Sequence, residues 1–276
     1  MTGQTSQVWE VVHATTWQHY ALKMLLPEYR AQRAHAGYLK HEFAVGCKLA
    51  HERVIRMHEL GRALGAPFLV MEYFPFPNLK QYIVRGSQRL SHLVPKIITQ
   101  AGEGLAYFNE QGWVHRDIKP DNYLVNPDGE VKLIDFALAQ RKKVGLSRLL
   151  AVKSKIQGTR SYMSPEQIRG QPLDARADIY SFGCMVHELL SGKPPFTGLT
   201  SNELLSKHLR SPPPSLEAVN SNVTPQFALL VQRLLSKKPE GRPASMAEFL
   251  SEFRRSPVFK RQPRPGATEA QEEAAG

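Results

Sequence analysis

The sequence predicts an α+β fold of two lobes, a small β-rich lobe to about Tyr73 and a larger helical lobe from residue 74 to about 254. Three observations carry this. Strand-like runs crowd the first quarter of the chain: residues 20–25 alternate, and 54–60 and 67–74 read as two strands with Gly61 and Gly65 between them. Helical stripes dominate afterwards. The length of 276 residues, 42% of them apolar, is enough for one large domain or two smaller lobes sharing a cleft.

In chain order, residues 27 to about 50 read as helical, starting at Pro27, with Phe43, Val45, Cys47 and Leu49 at helical spacing. Gly46 weakens that helix by about 1 kcal/mol relative to alanine and so makes its position adjustable. Asn78 is an N-cap for a short helix over 78–85. Residues 91–111 form a longer one, on the stripe Val94, Ile97, Ile98, Ala101, Leu105 and Phe108, ended by Gly112. Residues 178–190 are an apolar helix ending at Gly192. Pro212, Pro213 and Pro214 make a stiff loop, and residues 255–276, rich in Pro, Gly, Ala and Glu, read as a flexible tail. There is no internal repeat.

Composition narrows the functional classes. No run approaches the roughly 20 apolar residues of a membrane span, and the polar start, 1–10, is not a signal peptide. Cys47 and Cys184, the only cysteines, sit in apolar helical patterns and read as core residues rather than a disulfide. A reducing, cytoplasmic setting is the expectation. The net charge of +11 reads for most of the chain as solvated Lys and Arg rather than as a nucleic-acid interface, and none of the ten histidines has metal-site spacing.

Residues 113–137 hold the chemistry. Asp117 can accept a hydroxyl proton, Lys119 can neutralise a moving phosphoryl group, and Asn122 and Asp135 offer hard oxygens suited to Mg²⁺. The turn Pro127-Asp128-Gly129 folds one short strand back on another and brings Asp135 beside Asn122. A base, a cation and two oxygen ligands around one point are what phosphoryl transfer needs. The pattern His115-Arg116-Asp117-Ile118-Lys119-Pro120-Asp121-Asn122, followed by Asp135-Phe136-Ala137, resembles the catalytic loop and magnesium loop of the protein kinases, with alanine as the third residue of the second motif.

That resemblance extends over residues 3 to about 254 and implies roles elsewhere. Gly3 and Val8 are similar to the end of a glycine-rich phosphate loop, whose first glycine and preceding strand would lie upstream of Met1. It implies that Lys23, two residues after Ala21, reaches the phosphates of ATP. Glu42 is then its partner, preferred over Glu28 and Glu52 by its offset from Leu49 and His51. Met71 guards the adenine pocket, with backbone groups of Glu72 and Phe74 meeting the adenine edge and Leu124 completing the nucleotide site. Asp178 holds the catalytic loop, Thr159 contacts Asp117 and Lys119, and Glu166 pairs with Arg242.

From Ala137 to Glu166 there is no acidic residue, while Arg141, Lys142, Lys143, Arg148, Lys153, Lys155 and Arg160 are basic. Two readings stand side by side: phosphate on Ser147 or Ser154 bridges Arg116 and these cations, or a basic loop attracts acidic substrates. The resemblance, which in the style of the large lobe is to bacterial Hanks-type enzymes, implies a serine/threonine kinase using ATP and Mg²⁺ on protein substrates. Lys119 favours Ser/Thr over Tyr. The alternative is a pseudokinase, a nucleotide- or protein-binding module, suggested by the short glycine-poor loop and by Ala137.

Overall fold

Alternation in the first quarter of the chain becomes a sheet. The computed structural model describes residues 5–63, 65–142 and 157–265. Strands β1 (Ser6–Val12), β2 (His19–Leu25), β3 (Met57–Ala63) and β4 (Ala66–Glu72) form one antiparallel sheet in the order β1-β2-β4-β3. Lys23 lies mid-strand, between Val8 on β1 and Leu69 on β4. Two helices separate β2 from β3: α1 (Pro27–Arg30) and α2 (Arg33–Gly46). The single helix expected over 27–50 is thus broken at Ala31 and Gln32, and it ends at Gly46. There a Cβ would meet Met57 Sδ at 2.3 Å. Gly46 therefore serves a close approach of α2 to β3, beyond lowering helix propensity.

The larger lobe contains the helices α3 (Leu79–Val84), α4 (Val94–Glu110), α5 (Pro165–Ile168), α6 (Ala175–Ser191), α7 (Ser201–Arg210), α8 (Leu216–Val219), α9 (Pro225–Leu234) and α10 (Met246–Phe253). Asn78 caps α3 through a reciprocal capping box with Gln81. A 3₁₀ segment, Ser87–Leu93, precedes α4, which begins where Pro95 fits a first turn that needs no N–H. The stripe read from sequence on α4 is fully buried. Helix α6 is buried along most of its length and closes on Gly192 in the left-handed conformation. The fold is thus the two-lobed α+β arrangement of the expectation.

Two short antiparallel strand pairs carry the functional loops. Strand β5 (Trp113–Val114) pairs with β8 (Gln140–Arg141), and β6 (Tyr123–Val125) with β7 (Val131–Leu133). The β6–β7 turn is closed by Asn126, whose Oδ1 accepts from Asp128 N at 3.0 Å and Glu130 N at 2.8 Å. Residues Val54 and Ile55 lie outside β3. They cross to the large lobe, where Leu133 N donates to Arg53 O at 2.8 Å and Ile55 N donates to Leu133 O at 2.9 Å.

Two expectations are corrected. Cys47 is exposed at the end of α2, and Cys184 alone is buried, its thiol pushed up by burial. The chain after 254 does not leave the surface at once. Val258 is buried, Thr224 N donates to Val258 O at 3.0 Å, and Lys260 N donates to Asn222 O at 2.7 Å. Apolar Val258 and Phe259 find core to cover, so the lobe extends past the boundary read from composition. No helix among the described residues is long and apolar enough to cross a membrane.

Candidate active site

A charge triad joins the two lobes. Lys23 Nζ donates to both oxygens of Glu42, at 2.8 and 3.0 Å, and lies 3.9 Å from Asp135 Oδ1. The Glu42 side chain is 2% exposed, so it holds the ammonium from inside, while Asp135, 38% exposed, faces the cleft. Burial alone would lower the Lys23 pKa; the Asp135 and Glu42 carboxylates more than offset it and keep the ammonium charged. Burial pushes the Glu42 carboxyl above the usual carboxylate range, against the pull of Lys23. For Asp135 burial is outweighed by Lys23, by the Ala137 N–H and by the more distant His115 and Lys119, which hold it below its ordinary value.

The large lobe contributes a braced loop. Asp178, wholly buried on α6, accepts from His115 N at 2.8 Å, Arg116 N at 2.9 Å and Asn109 Nδ2 at 2.9 Å. These bonds hold Arg116 at φ 71°, a left-handed conformation that costs a non-glycine residue about 1 kcal/mol or more. Asp117 follows with three close donors to its carboxylate. Lys119 Nζ donates to Oδ2 at 2.7 Å, and Thr159 donates to Oδ1 from its N at 2.8 Å and its Oγ1 at 2.9 Å. Lys119 also donates to Thr159 Oγ1 at 2.8 Å. Gly158, at φ 115°, lets this segment approach: a Cβ there would lie 2.8 Å from Arg116 O.

Asn122 Nδ2 donates to Asp117 O at 2.8 Å, which leaves its side-chain oxygen as the group it can offer. Ile134 N donates to Asn122 O at 2.9 Å, so the two metal-ligand candidates lie side by side, Asn122 just before β6 and Asp135 just after β7. Phe136 is buried against Phe108 and His115, and that anchor turns Asp135, at φ 64°, toward the cleft. Ala137 is not among the residues with positive φ, so alanine replaces glycine there without backbone strain. Two oxygen donors, one amide and one carboxylate, fit a hard divalent cation whose remaining ligands are water and phosphate oxygens. Among the described residues no cluster of three or more His, Cys, Asp or Glu could hold a metal on its own.

Of the other expected nucleotide residues, Val8 and Ala21 are half-buried in the small-lobe sheet, and Leu124 is half-buried on β6. Glu72 N donates to Arg56 O at 2.8 Å, so its carbonyl is what it can present, and its carboxylate is held by Lys132 at 2.5 Å. Phe74 lies just beyond β4. Glu166 and Arg242 form a buried bidentate pair at 2.7 and 3.0 Å. Gly3, Ser147 and Ser154 lie outside the described residues.

Comparison with known proteins decides the family. The protein kinase domain family matches residues 2–253. The chain belongs to the protein kinase family. It is 29% identical over 251 residues to a probable serine/threonine-protein kinase of Clostridium acetobutylicum, covering 91% of this chain and 38% of the relative. It is 32% identical over 241 residues to serine/threonine-protein kinase PknL of Mycobacterium tuberculosis, covering 87% of this chain and 60% of PknL. Serine/threonine-protein kinase PknB of Mycolicibacterium smegmatis is 31% identical over 209 residues, or 74% of this chain and 33% of PknB. The chain therefore spans a third to three fifths of the length of these curated bacterial kinases.

The kinase site also uses residues that sequence reading missed. His41 Nε2 donates to Ala139 O at 2.7 Å, tying α2 to the turn between Asp135-Phe136-Ala137 and β8. Gln167 Nε2 donates to Arg116 O at 2.9 Å, and Asn109 shares Asp178. His41 beside Glu42 was the one available signal; the others are polar residues with no local motif.

Proposed function

We propose that this kinase domain transfers the γ-phosphoryl group of ATP to Ser and Thr hydroxyls of proteins, with Mg²⁺, in the cytoplasm. The observation that carries the reading is the Asp117 carboxylate, fixed by Thr159 and Lys119, in the same cleft as the Lys23–Glu42 pair and Asp135. Asp117 orients the acceptor hydroxyl and takes its proton as the new O–P bond forms and the bond to the departing ADP breaks. Lys119 offsets negative charge on the group in transfer. Lys23, held from behind by Glu42, positions the phosphates. Asn122 and Asp135 would hold the cation, which supplies charge neutralisation between phosphates. Braced positions for all of these groups convert binding into rate.

Thr159 supports Ser/Thr specificity, because its hydroxyl ties Lys119 to Asp117 beside the acceptor position. The test is labelled phosphate transfer from MgATP to a generic basic protein, followed by acid hydrolysis. Label on phosphoserine and phosphothreonine, lost on chelating the metal, is the expected result. Label on phosphotyrosine alone, or no label above a protein-free control, would overturn the proposal.

A further inference from the structure

Helix α6 grips the kinase site twice, and only the first grip, Asp178, is explained by the catalytic loop. Two turns beyond Ser181 on the same face stands Glu188, wholly buried. Its carboxylate has two donors. One is Lys80 Nζ, from α3 just past the connection between the lobes. The other is Tyr162 OH, at 2.5 Å. Tyr162 is held at its other end as well, where its carbonyl accepts from Ser181 Oγ at 2.7 Å. It closes the 3₁₀ turn Arg160–Tyr162, in which Tyr162 N donates to Thr159 O at 3.0 Å. Thr159 then makes both of its bonds to Asp117 Oδ1.

A continuous set of hydrogen bonds therefore runs from Lys80, outside the cleft, to the Asp117 carboxylate. We propose that Lys80 and Glu188 are positioning residues for Asp117, acting through Tyr162 and Thr159. The inference rests on the phosphotransfer reading above and deepens it. Its physical basis is that removing the cation from a buried ion pair leaves the carboxylate uncompensated, at a far higher cost than breaking an exposed pair. Lys80, 36% exposed, supplies that charge while its ammonium reaches inward. Burial and Glu188 raise the Tyr162 phenol well above its ordinary pKa, so it stays a donor. Without Lys80 the carboxylate loses one of its two donors and must rearrange, and the bond from Tyr162 that fixes the turn after Thr159 is disturbed. Lys23, Glu42 and Asp135 form no hydrogen bond with Lys80, Glu188, Tyr162 or Thr159, so binding of MgATP should be spared.

The experiment compares wild type, Lys80→Met and Lys80→Arg by steady-state kinetics and by hydrogen–deuterium exchange over residues 157–163. Lys80→Met should lower kcat by about 10- to 100-fold, the range produced by small misplacement of a catalytic group, with KM for MgATP within about twofold. Exchange over 157–163 should rise by about tenfold while α6 stays protected. Lys80→Arg should restore most of both. Tyr162→Phe, which deletes only the hydroxyl, should move kcat and exchange in the same direction and serves if Lys80→Met does not fold. Unchanged exchange, or raised exchange with unchanged kcat per folded molecule, would overturn the proposal. Absence of transfer by wild type would instead defeat the phosphotransfer reading, and the exchange measurement would still decide whether Lys80 fixes this segment.

Discussion

Glu42 and Asp178 are both buried carboxylates on helices, and burial raises the pKa of each, yet they are held in opposite ways. Glu42 sits on α2, where four of fourteen residues are buried, and its main partner is the end of a lysine side chain, with one backbone N–H, that of Phe136, beside it. Asp178 sits on α6, where fourteen of seventeen are buried, and its partners are two backbone N–H groups and an asparagine amide. Backbone donors cannot leave without unfolding a loop; a lysine can swing away by changing rotamers. The large lobe is thus a frame that holds Asp117 in place, whereas in the small lobe Lys23, on β2, is held by Glu42 from a helix with few buried residues. Positioning that must never vary is built on α6, and positioning that admits adjustment is built on α2.

The largest effect should come from breaking the frame. Arg242→Ala would leave Glu166 buried without its bidentate partner, at a cost of about 3–5 kcal/mol. Thermal unfolding should show a loss of roughly 10 °C. A loss under about 2 °C would mean the pair is not structural and would erase the contrast between lobes.

Acid should act on the same frame. Burial, then the nearby Lys237 ammonium, holds the His208 imidazole down to about 4 from an ordinary value of 6.5. The unfolded chain therefore takes up this proton first. Stability from His208 is fully present above pH 6.5 and falls as the pH drops toward 4, by about 3 kcal/mol at the lower end. Urea unfolding at pH 7 and pH 4.5 should show a steeper acid loss for wild type than for His208→Asn. Equal losses would remove His208 as the source.

A smaller effect is expected in the small lobe. His41→Ala removes the bond from α2 to Ala139, worth about 1 kcal/mol. It should raise KM for MgATP or lower kcat several-fold while thermal stability moves by only about 2–4 °C. An activity loss as large as that from disrupting Asp178 would show that α2 is as rigidly required as α6.

The lobes and the convergence of the charged residues were legible from sequence because their signals are local. Asp117, Lys119 and Asn122 lie within six residues, and the β6–β7 turn that brings Asp135 to them is written in Pro127, Asp128 and Gly129. The supporting contacts were not. His41 reaches Ala139 across 98 residues and Lys80 reaches Glu188 across 108, and a lone histidine or a surface-type lysine carries no pattern that names a distant partner. The tail boundary failed for the related reason that Val258 and Phe259 are too few to form a period, although enough to cover core.

The central claim is that both lobes present their charges to one phosphoryl group. Transfer from MgATP by Asp117→Asn, measured beside wild type with nucleotide bound to both, tests it most directly. The account predicts a rate at least about 100-fold lower in the variant with MgATP affinity within about twofold. Equal transfer rates from the two proteins at saturating MgATP would contradict it.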